Sequence, residues 1–555
     1  MPPRLLRFLV VATVTAAITA APAWAKPPSK GGKAQKGGQK AGQKAGEDKK
    51  KGPKTPPPAA KVAAPPVEKP AKAEGKAAPP PLEWNFTIQR ATLDNGLRVV
   101  MNPERSSPTV AIAVTYDVGS RDEERGRSGF AHLFEHMMFQ GSRNVDKGDH
   151  PRLISGHGGI LNGTTNTDRT NYFEALPSNE LALGLWLEAD RMKSLNVNAE
   201  NFENQRKVVQ EEYRMGVSNA AYAPSAIRLQ ELVYQGYWPY EHDTIGSMAD
   251  LDGAKIEWVQ DFHARYYGPN NAVLTIVGDF EPEAALALCH RYFDGASKIN
   301  LTPYKEAPLA EQTSQRTAVM HDDNARTPGI NYGWAIPPVR AADHYALEVA
   351  SLLLGNGESS RLYQLLVRDK AVAQEIDVGT ERRRGPDIFT INATLVEGAK
   401  VGDVEKLVEG EIKSLATRGP SDAELEKARR QIQSKMIFSL SRNVARAVRL
   451  GEYEVFFGDA RLLNAELPRY LAVTKEDIKR VTAQYLGPTR RSLVETYPKE
   501  AKTAEKPEGK VAAGNAEPKA EAKKGIKPAA PAEGPKAKKG GGAAAPAGKP
   551  KKPKK

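Results

Sequence analysis

The stretch His132-Leu133-Phe134-Glu135-His136 constrains this chain more than any other five residues. On a helix, positions i, i+3 and i+4 share one face, so two imidazoles and a carboxyl would converge on one point. The neighbours Phe130, Ala131, Met137, Met138 and Phe139 are apolar on nearly every side, which predicts a buried helix over residues 128–139. Burying His, Glu and His without partners is costly, and a bound metal ion removes much of that cost. The plainer alternative is a buried helix whose histidines bond to backbone or to carboxylates.

Catalytic zinc usually takes three protein ligands and leaves a fourth position for water. His132 and His136 would supply two nitrogens, and Glu135 would serve as a general base rather than a ligand. The order H-x-x-E-H is the inverzincin signature, the reverse of H-E-x-x-H. A third ligand is sought in residues 201–215 (NFENQRKVVQEEYRM), which read as a helix with Phe202, Val209 and Tyr213 near one apolar face. Glu212 falls on that face and Glu211 nearer its edge. Periodicity thus favours Glu212 over Glu211, although on spacing alone a solvated helix edge is the more ordinary reading of two adjacent glutamates.

HLFEH, followed 76 residues later by the second Glu of VVQEEYR, resembles the pitrilysin/insulinase family of zinc peptidases. The similarity is strongest to the branch holding mitochondrial processing peptidase and its small bacterial relatives. Leu93 to Val100 (LDNGLRVV) resembles that family's first strand, and Asn162 to Tyr172 (NGTTNTDRTNY) the strand after the zinc helix. Residues 355–368 (GNGESSRLYQLLVR) resemble a segment of its second domain. The resemblance implies His132, His136 and Glu212 as ligands of one Zn2+ per chain, with Glu135 as general base. It further implies that a peptide substrate pairs as an added strand along a sheet edge, with Asn162 and Gly163 where the family has an Asn-Ala pair touching that peptide. Read without the family, Asn-Gly is an ordinary turn or bulge.

Two positions depart from the family pattern. Many relatives carry a Glu seven residues before the third ligand; here it is Gln205, which can hydrogen bond but adds no charge. Active single-chain relatives use an Arg and a Tyr seven apart to hold substrate. Arg368 matches the Arg, but Glu375 stands at the Tyr position, and an anion cannot donate to a developing oxyanion. The expectation is therefore a hetero- or homodimer in which a family member supplies the Arg/Tyr pair.

Much of the chain is not enzyme-like. Residues 1–25 read as a signal peptide, with Arg4 and Arg7, an apolar run from Phe8, and Ala23-Trp24-Ala25 before Lys26. This predicts export to a periplasmic or extracellular site. Residues 26–82 and 499–555 are Lys, Pro, Ala and Gly with almost no large apolar side chains, the composition of disorder. Each carries net +10, and the leader +2, so the overall +13 leaves about −9 for residues 83–498. The basic character belongs to the tails. They lack the interleaved aromatics of a nucleic-acid binder, so no specific nucleic acid is expected; weak association with anionic envelope polymers remains open, beside the reading as solvated spacers. The single cysteine, Cys289, excludes an intrachain disulfide.

The body suits two domains, 88–295 for the zinc-binding peptidase half and 315–498 for a homologous half. An internal echo supports duplication: HARYYGPNNAVLTIVG from His263 resembles TAQYLGPTRRSLVETYP from Thr482, with Gly268 and Gly487 219 apart. Strands are expected over 98–101, 109–116, 172–176, 273–277, 329–335 and 390–395, and helices over 180–195, 344–354 and 422–441. The fold class is α+β: two homologous α/β-sandwich domains, mixed or antiparallel sheets with helices on one face. His150, His157, His242, His263, His290, His321 and His344 have no ligand spacing and are read as surface or core residues. The leading function is an exported zinc endopeptidase acting on short or unfolded peptides. The alternatives are a non-catalytic scaffold or peptide binder of the same fold, and a structural zinc protein, for which no fourth ligand is evident.

Overall fold

The computed structural model describes residues 85–301 and 308–499. The segments expected to be a signal peptide (1–25) and a linker (26–82), and the basic tail beyond Lys499, lie outside the described residues.

Two mixed sheets form the body. The first has strands β1 (Gln89–Thr92), β2 (Arg98–Pro103), β3 (Thr109–Tyr116), β4 (Ile160–Thr165), β5 (Thr170–Pro177) and β6 (Ala272–Gly278), in the order β1-β2-β6-β3-β5-β4. The second has β7 (Arg316–Asp322), β8 (Gly329–Ile336), β9 (Ala373–Thr380), β10 (Asp387–Leu395) and β11 (Ser492–Pro498), in the order β7-β11-β8-β10-β9. Without β1, the orders coincide strand for strand. Each contains one parallel pair at the same place, β2 with β6 and β7 with β11, and antiparallel pairs elsewhere. Tyr-x-Gly-Pro-type segments lead into the matching strands β6 and β11 through short turns at Pro269–Asn271 and Pro488–Arg490. The topology thus carries the internal echo seen in the sequence.

The helices do more than line one face. Strand β3 (TVAIAVTY) is buried at every position after Thr109, so both its faces are covered. Val110, Ile112, Val114 and Tyr116 join the core beneath helices of their own half, which include α1 (Phe130–Met137), α2 (Asp149–Gly156), α3 (Leu181–Ser194) and α4 (Ala199–Tyr213). Ala111 and Ala113 face the other way, onto Ala447, Leu450 and Tyr453 of the helix Asn443–Phe457, which comes from the second half. Small side chains on both partners permit this close approach. A β-carbon on Gly451 would stand 2.5 Å from Thr115 Oγ1. The exchange is reciprocal: α5 (Ala223–Val233), from the first half, lays Leu229 and Val233 on the second sheet, over Gly333 and beside Ile388 and Val494. The helices of each half pack on one face of its own sheet, as expected. Each sheet has its own helices on one side and a helix lent by the other half on the opposite side, so neither half closes its core alone.

Candidate functional site

Helix α1 spans eight residues, FAHLFEHM, all buried. Its entry turn is demanding. Gly129 sits at φ 89°, where a β-carbon would meet the Ile245 carbonyl oxygen at 2.7 Å, so only glycine fits. Two of the N–H groups at its start are satisfied by Glu123, which accepts from Gly129 N at 2.9 Å and from Ala131 N at 2.7 Å. His242 in turn contacts Glu123 Oε2 at 3.0 Å while its ring stacks on Trp238. This support places His132, Glu135 and His136 on one inward face.

Helix α4 brings Glu212 to the same point. Its N-terminus is capped by Asn198, whose side chain accepts from Asn201 N, and Phe202 and Val209 are buried under it. Glu212 Oε2 lies 3.6 Å from His132 Nε2 and 3.4 Å from His136 Nε2. Three donors bound to one zinc at roughly 2.0–2.1 Å in a tetrahedral arrangement stand about 3.3–3.5 Å apart, which is close to these separations. His132 Nδ1 and Nε2 and Glu212 Oε2 are all buried without a hydrogen-bond partner. Such a set of orphaned donors fits a metal ion better than a hydrogen-bonded cluster. Glu211, the other candidate of the pair, turns outward to Arg214.

Electrostatics point the same way. Burial, with His136 beside it, pushes the His132 imidazole down to about 3, so it presents a neutral lone pair. Burial also opposes the charged form of His136, but Glu212, Glu135 and the Gln205 side chain outweigh it and raise its proton affinity. Burial would raise the Glu212 carboxyl, and the two histidines pull it below its ordinary range. Glu135 is raised by burial, against lowering by the Thr165 hydroxyl, His136 and Arg169.

Glu135 lies against β4, the edge strand of its sheet. Gly163 on that strand is buried, and its N–H donates to Asn162 Oδ1 at 2.9 Å. Gly163 is therefore a neighbour of Glu135, and Asn162 precedes it on the same edge strand. Arg368 lies elsewhere, exposed in the π-helical turn Tyr363–Asp369, where it pairs with Glu358 at 3.1 Å. Glu375 is exposed on β9, the edge strand of the second sheet.

Residues 98–236 match the insulinase peptidases (peptidase family M16), and residues 255–432 match the M16 inactive domain. The zinc protease PqqE of Helicobacter pylori is 30% identical over 419 residues, 73% of this chain and 92% of that protein. The chain belongs to the insulinase family, M16. It is a zinc metalloprotease of that family with a candidate His-His-Glu metal site. The crystal structure of a protease from H. pylori covers 75% of the chain and all of its own length at TM-score 0.71 and 28% identity. The first half of the periplasmic protease PqqL from Escherichia coli shares the fold at TM-score 0.62 and 18% identity, covering 76% of the chain and 93% of its own.

Sequence reasoning missed a second buried cluster. His150, set aside for want of ligand spacing, meets Glu174 of β5 at 3.3 Å, and Glu188 of α3 lies within reach of both. Arg191 grips both oxygens of Glu188 and already supplies the cation there. His344, also buried, bonds Asp387 at 2.7 Å, and Cys289 is wholly buried. His157, His290 and His321 are exposed.

Proposed function

We propose that this chain is an exported zinc endopeptidase that hydrolyses short or unfolded peptides, with His132, His136 and Glu212 holding one Zn2+ and Glu135 acting as general base. The observation that carries the reading is the convergence of His132, His136 and Glu212 on one point beside an edge strand, with His132 and Glu212 presenting buried atoms that lack any hydrogen-bond partner. His132, His136 and Glu212 would hold the zinc ion, which when bound would supply Lewis acidity at the scissile carbonyl and at the attacking water. An extended peptide adds to β4 by backbone pairing, past Asn162 and Gly163, which sets it across the Glu135 carboxyl. Glu135 takes the proton of the attacking water and delivers it to the leaving amine. A folded protein cannot lend a strand to this edge, hence the preference for short or unfolded chains.

Glu375 cannot donate to the oxyanion, so the chain works with a zinc-free family member that contributes an Arg/Tyr pair. Arg368 remains as a residual substrate contact. The leader-like residues 1–25 and the similarity to a periplasmic protease support export.

The deciding experiment compares wild type with Glu135→Gln on a quenched peptide library, with and without co-purified partner. Zinc content should be unchanged and cleavage reduced by about 10²–10⁴-fold. Equal cleavage by the variant would remove Glu135 from the chemistry.

A further inference from the structure

The turn that ends the β4 edge strand is nailed to the second half of the molecule at two successive residues. Asp168 Oδ1 accepts from the Tyr240 hydroxyl at 2.7 Å, and its Oδ2 from the backbone N–H of Arg384, in the β9–β10 loop, at 2.9 Å. Arg169 is 7% exposed and makes two kinds of contact. Its Nη1 donates to the Thr164 carbonyl oxygen at 2.9 Å and to Thr164 Oγ1 at 2.6 Å, both on β4. Its Nε and Nη2 both reach Glu452 Oε1 at 3.1 Å, on the helix Asn443–Phe457. That is the helix lent to the first sheet by the second half. The next β4 residue, Thr165, lies close enough to favour the charged form of the Glu135 carboxyl, and a β-carbon on Gly163 would stand 3.1 Å from Glu135 Cγ.

We propose that Arg169 is a positioning residue for proteolysis: with Glu452 it fixes the β4 edge strand, and through that strand the Glu135 carboxyl, to the second repeat of the chain. This rests on the reading of β4 as the peptide-binding edge. The physical case is one of stiffness. An edge strand is paired on one side only, and here its last residues end in a four-residue turn. A guanidinium held at both ends in a largely buried setting resists displacement in a way that an exposed pair does not. Burial opposes the charge on Glu452, but Arg449 and Arg169 outweigh it, so the far end of the strut stays ionised. A displacement of Glu135 by a fraction of an ångström is enough to lower the rate.

The test uses full-length protein with Arg169→Met, Arg169→Lys, Glu452→Gln and the double variant Arg169→Met/Glu452→Gln. Four readouts are needed: bound zinc, kcat and KM on an extended peptide, and amide hydrogen exchange of residues 160–165. Arg169→Met and Glu452→Gln should each keep zinc, lower kcat per zinc-loaded molecule by about tenfold or more, raise KM and speed exchange in β4. The double variant should lose little beyond the Arg169 single, because both remove one strut. Arg169→Lys should recover part of the loss, and stands in if Arg169→Met does not fold. Unchanged kcat, KM and exchange in the folded variants overturns the proposal, as does fully additive loss. Should wild type fail to cleave any peptide, the peptidase reading falls separately. The exchange comparison then still decides whether Arg169 holds β4.

Discussion

A β-carbon built on Gly163 would stand 3.1 Å from Glu135 Cγ and 3.2 Å from Glu135 Oε1. Tyr172 Cδ1 is equally close, at 3.2 Å, so the space between strand and carboxyl has no slack. Gly163→Ala, the residue usual in the family, should therefore push Glu135 by a few tenths of an ångström. We expect roughly a three- to tenfold change in kcat with zinc content intact. Steady-state kinetics normalised to bound zinc checks this. Wild-type kcat in the variant would mean that Glu135 is not confined by the strand.

Glu123 closes the N-terminus of the zinc helix with two backbone N–H bonds and receives His242 on the same carboxyl. Its removal strands two buried donors and breaks a buried ion-pair contact. Glu123→Ala should cost about 2–4 kcal/mol of stability. Denaturant titration of the zinc-loaded protein measures it, and a loss below about 0.5 kcal/mol would show that water replaces the cap at no cost.

A pH signature follows from the cluster behind Tyr172. Burial lifts the Glu174 carboxyl to about 8, only partly offset by Arg191, while burial pushes His150 down to about 3. Glu174 is raised on folding, so its contribution is fully present below the unfolded carboxyl value and is lost as pH climbs towards 8. His150 is depressed, so its contribution is lost as pH falls below about 6.5, in the opposite window. Between about pH 6.5 and 8, then, Glu174 should give a falling stability, bounded by about 1.4 kcal/mol per pH unit. Glu174→Gln should flatten that slope in thermal melts. A slope that survives the substitution belongs to another group.

The HLFEH helix, the strands and the duplication were legible because each rests on local pattern: apolar residues around HLFEH, the run TVAIAVTY, and paired Gly-Pro turns 219 residues apart. Periodicity leaned towards Glu212 over Glu211, but only the resemblance singled it out, because two adjacent glutamates on a helix are ordinarily a solvated edge. Other parts left no local trace. Whether Ala111 and Ala113 are simply small, or make room for a helix from the far half, depends on which face of β3 they occupy and on Gly451, which is remote in sequence. Glu123 and His242 are 119 residues apart, and Arg169 and Glu452 are 283 apart. Arg169 lies in the NTDRTNY segment that drew attention at once, yet its partner has no motif. Contacts between two charged residues of that separation are properties of the fold, and periodicity does not report them.

Metal removal tests the site without recourse to catalysis. His132 and Glu212 carry buried atoms that lack hydrogen-bond partners, so stripping zinc leaves them uncompensated. Zinc at 100 to 1,000 times its dissociation constant should raise stability by about 2.7–4.1 kcal/mol over the chelated protein. The effect should shrink in acid. Glu212 and Glu135 outweigh burial and raise the proton affinity of His136, and zinc must displace that proton to bind, so affinity falls as pH drops through the imidazole range. His132, depressed to about 3 by burial, adds little to this dependence. Melting curves with chelator and with zinc restored, at several pH values, read the result. A melting temperature indifferent to zinc at neutral pH would separate His132, His136 and Glu212 from any metal, whatever the peptide assay shows.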